Sequence, residues 1–287
     1  MYKEYIKSPI NYVGNKYRLL KQIIPLFPID IHTFVDAFGG SGTVLFNVEA
    51  ENYVYNDINK YVSEIVEGIF SNTYEEIVGK IEAIIKQYDL SMTNKEGFEK
   101  LREDYNEGKR DWITLYTLMC HSFNHQFRFN SNHEYNSSFG KNRSYFSDRQ
   151  KQDLLKVKER FKGKEDRVQV GAGSIFNIDF KVYTEEDFLY FDPPYYNSVG
   201  NYNDGKRGFE GWTKEHEEKL WKLLNELNNK GIRWALSNNL KYDNDILKSN
   251  LDRYTVHTLR GDYLNCNYHK KDRETRDVEI LVTNIKE

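Results

Sequence analysis

Residues 32–57, HTFVDAFGGSGTVLFNVEAENYVYND, decide the fold. The run from His32 to Phe38 is β-prone and stops at Gly39-Gly40-Ser41-Gly42, so it reads as a short strand entering a glycine turn. The apolar TVLFNVEA that follows is compatible with a helix. Asn52 to Asn56 reads as a second strand ending at Asp57. From Ile58 to Ile69 apolar residues recur at Ile58, Val62, Ile65, Val66 and Ile69, the spacing of one helix face. Strand, helix, strand, helix in that order predicts a parallel sheet.

Outward from this stretch, the pattern between residues 72 and 164 turns helical, with helices expected over Tyr74 to Tyr88, Lys95 to Asn106 and Asp111 to Phe123. FNHQFRFNSNHEYNSSFGKNRSYF (123–146) then predicts a polar-tipped hairpin, with Phe127 and Phe129 on one arm and Tyr135 and Phe139 on the other. After Arg167 the β/α alternation resumes. Strands are expected at Val168 to Val170, Phe188 to Phe191, Arg233 to Ser237, Tyr254 to Leu259 and Val278 to Thr283, and helices at Lys214 to Asn228 and Asp243 to Asn250. The chain thus reads as one α/β domain built from residues 1–64 and 166–287, interrupted by an inserted region, 65–165.

With 287 residues the chain can bury a sizeable core, and 22 Tyr, 17 Phe and 4 Trp supply large apolar areas despite a mean hydropathy of -0.78. No stretch reaches the ~18 consecutive apolar residues of a membrane helix, and the opening MYKEYIKSPINY lacks a signal-peptide apolar region, so a cytoplasmic protein without membrane contact is expected. Two cysteines without a CxxC, Cys120 and Cys266, point to neither a disulfide framework nor a cysteine zinc site. His121 and His125 stand four residues apart, but without an HExxH glutamate or a third ligand they read as helix-surface or core histidines; no metal is expected. The net charge of -3 hides a partition. Residues 49–107 hold 14 acidic against 6 basic side chains, while residues 141–164 hold 9 basic against 3 acidic. A second basic stretch runs from Arg253 to Arg276. A local positive field on an acidic protein suits an anionic partner at one face, with a solvated helix face as the ordinary alternative for Lys156 to Lys164.

Three motifs carry chemistry. Gly39, Gly40 and Gly42 after a strand let backbone pass close to a nucleotide. The dinucleotide fingerprint GxGxxG fails because Leu45 occupies its third glycine position, and no GxxxxGK[ST] occurs, which excludes a nicotinamide oxidoreductase and a P-loop ATPase. Asp57 ends the second strand, where an acid accepts hydrogen bonds from ribose hydroxyls or caps a helix. Asp192-Pro193-Pro194-Tyr195 follows the apolar strand Phe188 to Phe191. Two prolines prevent sheet and helix from continuing, so a carboxylate, an unpaired carbonyl and an aromatic ring are held together at a strand end. Such a group suits the exocyclic amine of a flat base.

These residues resemble the Dam-type adenine-N6 DNA methyltransferases, the D12 class, in their α order. The likeness runs through SPINYVGNK (8–16), DAFGGSG (36–42), NDIN (56–59), IDF (178–180), DPPYY (192–196) and VEILVTN (278–284). The resemblance implies a Rossmann-like S-adenosylmethionine (SAM)-dependent methyltransferase sheet carrying an inserted helical and hairpin target-recognition domain. It implies that Tyr12 and Lys16 contact the methionine part of SAM, that Asp36, Phe38, Gly40, Ser41 and Gly42 belong to its pocket, that Asp57 holds its ribose, and that Asp179 and Phe180 hold its adenine. Asp192, Pro193, Pro194 and Tyr195 would grip an adenine rotated out of double-stranded DNA, with Asp192 also beside the cofactor. The insert resembles recognition domains that read GATC. Arg128 would read a guanine, with Asn130, Asn136 and Ser138 beside it and Lys141 and Arg143 on phosphates. Ser138 and Asn11 depart from the proline and the lysine often found there. A bacterial cell or phage-infected host and a monomer working on one strand at a time go with this resemblance. Two rivals remain: the same transfer to another amine (cytosine N4 or RNA adenine), and a DNA-binding homologue without catalysis.

Overall fold

The computed structural model describes residues 4–108, 110–197, 211–259 and 278–285. Cys266 and residues 260–276 of the second basic stretch lie outside these. Among the described residues seven strands form one sheet: β1 (Thr33–Asp36), β2 (Asn52–Asp57), β3 (Val168–Ala172), β4 (Phe188–Phe191), β5 (Arg233–Asn239), β6 (Thr255–Leu259) and β7 (Glu279–Thr283), in the spatial order β3-β2-β1-β4-β5-β7-β6. β1 pairs with β2 and β4 in parallel, and β7 runs antiparallel to both of its neighbours. The chain leaves β1 toward β2 on one side and returns to β4 on the other. Their carboxyl ends therefore flank the point where strand order reverses, the usual site of a ligand crevice.

Side-chain alternation assigns two cores. Phe34, Tyr53, Tyr55, Phe188 and Tyr190 face one; Val35, Leu189, Phe191, Trp234 and Leu236 face the other. β4 is buried along its whole length, which explains its uninterrupted FLYF. The helices are α1 (Leu20–Ile23), α2 (Lys60–Ser71), α3 (Tyr74–Gln87), α4 (Lys95–Asn106), α5 (Trp112–His121), α6 (Asp148–Arg160), α7 (Lys214–Asn229) and α8 (Asp245–Asn250). Thr73 with Glu76, Ser147 with Gln150 and Thr213 with His216 form reciprocal caps that start α3, α6 and α7.

The helix expected after the glycine turn does not form. TVLFNVEA makes only a 3-10 turn at Leu45–Asn47. The segment is short, and its Thr and Val are poor helix formers. Asn47 also spends its amide elsewhere: it donates to the carbonyls of Thr43 (2.8 Å) and Ile6 (2.9 Å) and accepts from the Ile6 N–H (2.7 Å). The second helix starts at Lys60 rather than Ile58 because Asn59 caps it through the Tyr61 N–H.

α2 continues to Ser71, past residue 65, and packs on β2, β3 and α5, so one helix serves both the sheet and the region beyond it. The hairpin is present as two antiparallel bridges, Ser122 to Phe139 and Phe129 to Tyr135. Phe129 stacks on Tyr61 of α2 with centroids 4.4 Å apart. α6 returns the chain to the sheet by burying Phe161 against Tyr53, Phe46 and Phe70. Among the described residues no helix is long and apolar enough to cross a membrane.

Phe161→Ala should remove the largest side chain at this return and cost about 3–5 kcal/mol. Urea denaturation followed by circular dichroism checks this, and a loss below 1 kcal/mol would show that the site collapses around the gap.

Candidate active site

A cavity of about 560 Å³ opens at the carboxyl ends of the parallel strands. Tyr12, Lys16, Asp36, Phe38, Gly40, Ser41, Asp57 and the tetrapeptide from Asp192 to Tyr195 all line it. Gly40 sits at φ +49°, a left-handed conformation that costs little without a Cβ. A Cβ on Gly39 would overlap the Tyr55 ring, whose hydroxyl donates to the Gly40 carbonyl at 2.6 Å. Asp57 locks the turn from the neighbouring strand: Oδ2 accepts the Gly40 N–H at 2.9 Å and Oδ1 the Asn59 N–H at 2.8 Å. It therefore serves the helix start and the cavity together.

At one wall of this cavity Asp36 and Asp192 meet the ammonium of Lys16. Asp192 Oδ2 lies 2.8 Å from Lys16 Nζ, which also donates to the Gly14 carbonyl (3.2 Å) and stands 5.3 Å from the Tyr195 ring centroid. Burial pushes Asp192 up to about 6, against the pull of Lys16. Asp36 is 1% exposed, and neither of its oxygens makes a hydrogen bond of full geometry. Burial, then the charge of Asp192, raises it to about 8, opposed by the Leu45 backbone and Lys16. A buried, unsatisfied acid at a cavity wall is a place for a cationic donor.

Several further wall residues had no role expected from sequence: Phe176, Trp212 and His216 lie outside the motifs, and Asn15 and Glu279 lie inside them. Phe38 meets Trp212 edge-on at 5.5 Å, and Phe176, Trp212 and His216 stack at 5.4–6.3 Å, making an aromatic side to the cavity. Trp212 is fixed by its Nε1–H to Glu217 (2.6 Å). Asn15 ties the N-terminal loop to the glycine turn through Ser41 and Thr43. Glu279, the first residue of β7, is a further wall residue.

Three expected cofactor residues do not line the cavity. Gly42 (φ +71°) turns the chain behind it, where Phe46 closes off the space for a Cβ. Asp179 is exposed and caps the turn after it through the Lys181 N–H (3.0 Å). Phe180 packs on Phe191 in the second core. The short turn Ile175–Asn177 places Phe176 at the cavity instead, held by the Ser174 side chain. No spacing rule marks which aromatic of such a turn faces in.

The hairpin sorts its residues by period two. Gln126, Arg128, Asn136 and Ser138 are exposed on one face, while Phe129, Tyr135 and Ser137 are buried on the other. The side chains of Arg128, Asn136 and Ser138 have no partner among the described residues. Asn130, expected beside them, is spent inside the tip: it donates to Glu134 (2.7 Å) and accepts from the Asn132 and Glu134 N–H groups. Lys141 and Arg143 are exposed, with Arg143 over the Phe123 ring (4.9 Å) and donating to Asn124 (3.3 Å). Asn11 donates to the Asn124 carbonyl (2.7 Å), and Tyr12 meets Phe127 edge-on (6.4 Å), so the cavity loop touches the hairpin directly.

Among the described residues no group of His, Cys, Asp or Glu could hold a metal ion. His121 and His125 point Nδ1 at the carbonyls of Thr117 (2.9 Å) and Cys120 (3.0 Å), and burial lowers both pKa values. Cys120 is a buried free thiol.

Comparison with known proteins bears on this geometry. The family described as D12 class N6 adenine-specific DNA methyltransferase matches residues 12–263. The chain is similar to the type II methyltransferase M.FokI of Planomicrobium okeanokoites, at 43% identity over 98% of this chain and 43% of that one. It is similar to the modification methylase StsI of Streptococcus sanguinis, at 40% identity over 98% and 43%. The DNA adenine methylase of Haemophilus influenzae is 26% identical over 65% of this chain and 63% of that protein. The chain spans less than half the length of the first two.

An unfolded aspartate ionises near 3.8, whereas Asp36 holds its proton to about 8 and Asp192 to about 6. Between those values the folded state binds the extra protons, so their contribution is complete below pH ~4 and is lost as pH rises to 8. Without ligand, Asp36→Asn should therefore flatten the fall in melting temperature between pH 5 and 8. Parallel wild-type and variant curves in calorimetry would contradict this.

Proposed function

The chain belongs to the D12 class N6 adenine-specific DNA methyltransferase family, and on that premise we propose that it transfers a methyl group from SAM to N6 of an adenine turned out of double-stranded DNA. The observation that carries this reading is the unsatisfied buried acid Asp36 opening into the same cavity as Asp192. The residues present suit SAM in charge and shape. Asp36 offers a carboxylate to the cofactor's ammonium, Asp57 offers acceptors to ribose hydroxyls, and the aromatic side of Phe38, Phe176 and Trp212 offers a flat surface to its adenine. When bound, SAM supplies a methyl group that is already electrophilic on sulfur.

The protein's own task is orientation more than base strength. The Asp192 carboxylate and the Pro193 carbonyl accept the two N6–H bonds, which draws the nitrogen lone pair out of ring conjugation and aims it at the methyl. The Tyr195 ring stacks on the base and helps meet the cost of unstacking it. Lys16 holds Asp192 in place before substrate enters, and a base amine must take over part of that contact. After transfer, the excess proton on N6 leaves to Asp192 or water.

On the DNA side, Arg128 projects from the exposed hairpin face and would read a guanine through O6 and N7, with Asn136 and Ser138 beside it; Lys141 and Arg143 suit phosphates. Asn130 is better read as a tip residue. GATC is the first sequence to test, although the likeness to FokI and StsI methylases is closer than that to a DNA adenine methylase. The setting proposed is the cytoplasm of a bacterium or phage-infected host.

Expression in a methylation-deficient host, followed by sequencing that maps N6-methyladenine, tests the reading against an Asp192→Ala control. Methylated adenine in one short sequence and none in the control is expected; no methylation from folded wild type would overturn it. Arg128→Ala should lower methylation of that sequence about 10- to 100-fold while leaving non-specific DNA binding within a few-fold. Since Asp192 must be ionised to accept its N6–H bond well, kcat/KM should fall below about pH 6, and Lys16→Met should move that limb upward.

A further inference from the structure

Glu279 is a buried carboxyl group, 4% exposed, that the transfer just described does not use. Because β7 runs antiparallel to its neighbours, its first residue lies at the carboxyl ends of the parallel strands, opposite Asn239 at the end of β5. A parallel strand there would have presented its last residue. Glu279 lines the cavity, and its Oε2 accepts the Tyr195 hydroxyl at 2.8 Å. Its Oε1 accepts the Asn239 amide at 3.3 Å. Tyr195 is thus pinned at both ends, by the rigid prolines on its backbone side and by Glu279 at its hydroxyl.

We propose that Glu279 is a positioning residue for the methyl transfer, which fixes the Tyr195 ring through its hydroxyl so that the ring can stack on the target adenine. The assignment rests on the activity proposed above. Without this anchor Tyr195 would be free to turn about χ1 and χ2, and part of the stacking energy would go to ordering it once the base had entered. Glu279 itself makes no contact with the reacting atoms in this scheme. Its influence should therefore fall on the extruded base rather than on SAM; its charge also bears on Asp192, an effect that Glu279→Ala and Glu279→Gln both remove, so the difference between these two variants isolates the anchor on Tyr195.

The test compares Glu279→Ala, Glu279→Gln, Tyr195→Phe and the Glu279→Ala/Tyr195→Phe double variant in the full chain, using radiolabelled SAM and a duplex carrying the mapped site. Glu279→Ala should lower kcat/KM for DNA roughly tenfold, the worth of one lost buried hydrogen bond, with KM for SAM within about twofold. Glu279→Gln, which can still accept the hydroxyl, should recover most of the loss. Tyr195→Phe should match Glu279→Ala, and the double variant should be no worse than either. With 2-aminopurine as the target base, the fluorescence change on binding should shrink in Glu279→Ala and recover in Glu279→Gln. Independent, multiplying losses in the double variant, or an unchanged kcat/KM and fluorescence change in Glu279→Ala, would overturn the assignment alone. A folded wild type that transfers no methyl group to any DNA would overturn the activity reading, and this assignment with it.

Discussion

The site is organised by a shortage of positive charge. Asp36 ends β1 and Asp192 directly follows β4 at the point where strand order reverses, Asp36 is buried and Asp192 half-buried, and Lys16 is the ammonium placed against them. Lys16 pairs with Asp192 and leaves Asp36 unsatisfied, so the two acids are held at different protonation levels by geometry alone. Burying two carboxyl groups against each other would ordinarily count against a fold. Here the rest of the sheet tolerates it because both strands are fixed by buried neighbours on both faces, and a cationic ligand could neutralise what the protein leaves unpaired.

The surrounding devices maintain that arrangement. The glycine turn is held from β2 by Asp57 and Tyr55, from the N-terminal loop by Asn15 and Ser8, and from beneath by Phe46. The N-terminal loop brings Lys16 to Asp192, and the same loop touches the hairpin through Asn11 and Tyr12. One short segment thus touches both the cavity and the hairpin.

The membership of the chain in an adenine methyltransferase family and the geometry of its cavity speak to different levels. Similarity over nearly the whole chain establishes the family. The distribution of hydrogen-bond partners adds which side chains are already committed to the fold, as Asn130 and Asp179 are, and which remain available, as Arg128 on the hairpin and Asp36 in the cavity are.

Local chemistry made much of this legible in advance. Strand Phe188–Phe191 and helix Lys95–Asn106 were readable to the residue, because an unbroken apolar run between turn signals and a capped amphipathic period leave little choice. The rigid Asp192–Tyr195 step and the glycine turn were equally visible, since proline and glycine restrict or free the backbone wherever they occur. The segment Thr43 to Ala50 was misread as a helix because its stabilising partners, Ile6 above all, lie far away in sequence. Phe176, outside every motif, and Glu279, inside VEILVTN but without a role there, went unassigned for the same reason: one aromatic in a turn and one acid at a strand start gain meaning only when an antiparallel edge and a short turn deliver them to a common cavity. Sequence determined the periods, the caps and the stiff turns, all of which act over a few residues. Tertiary structure alone decided which polar groups were buried without partners, because burial and pairing depend on neighbours that only the folded sheet brings together.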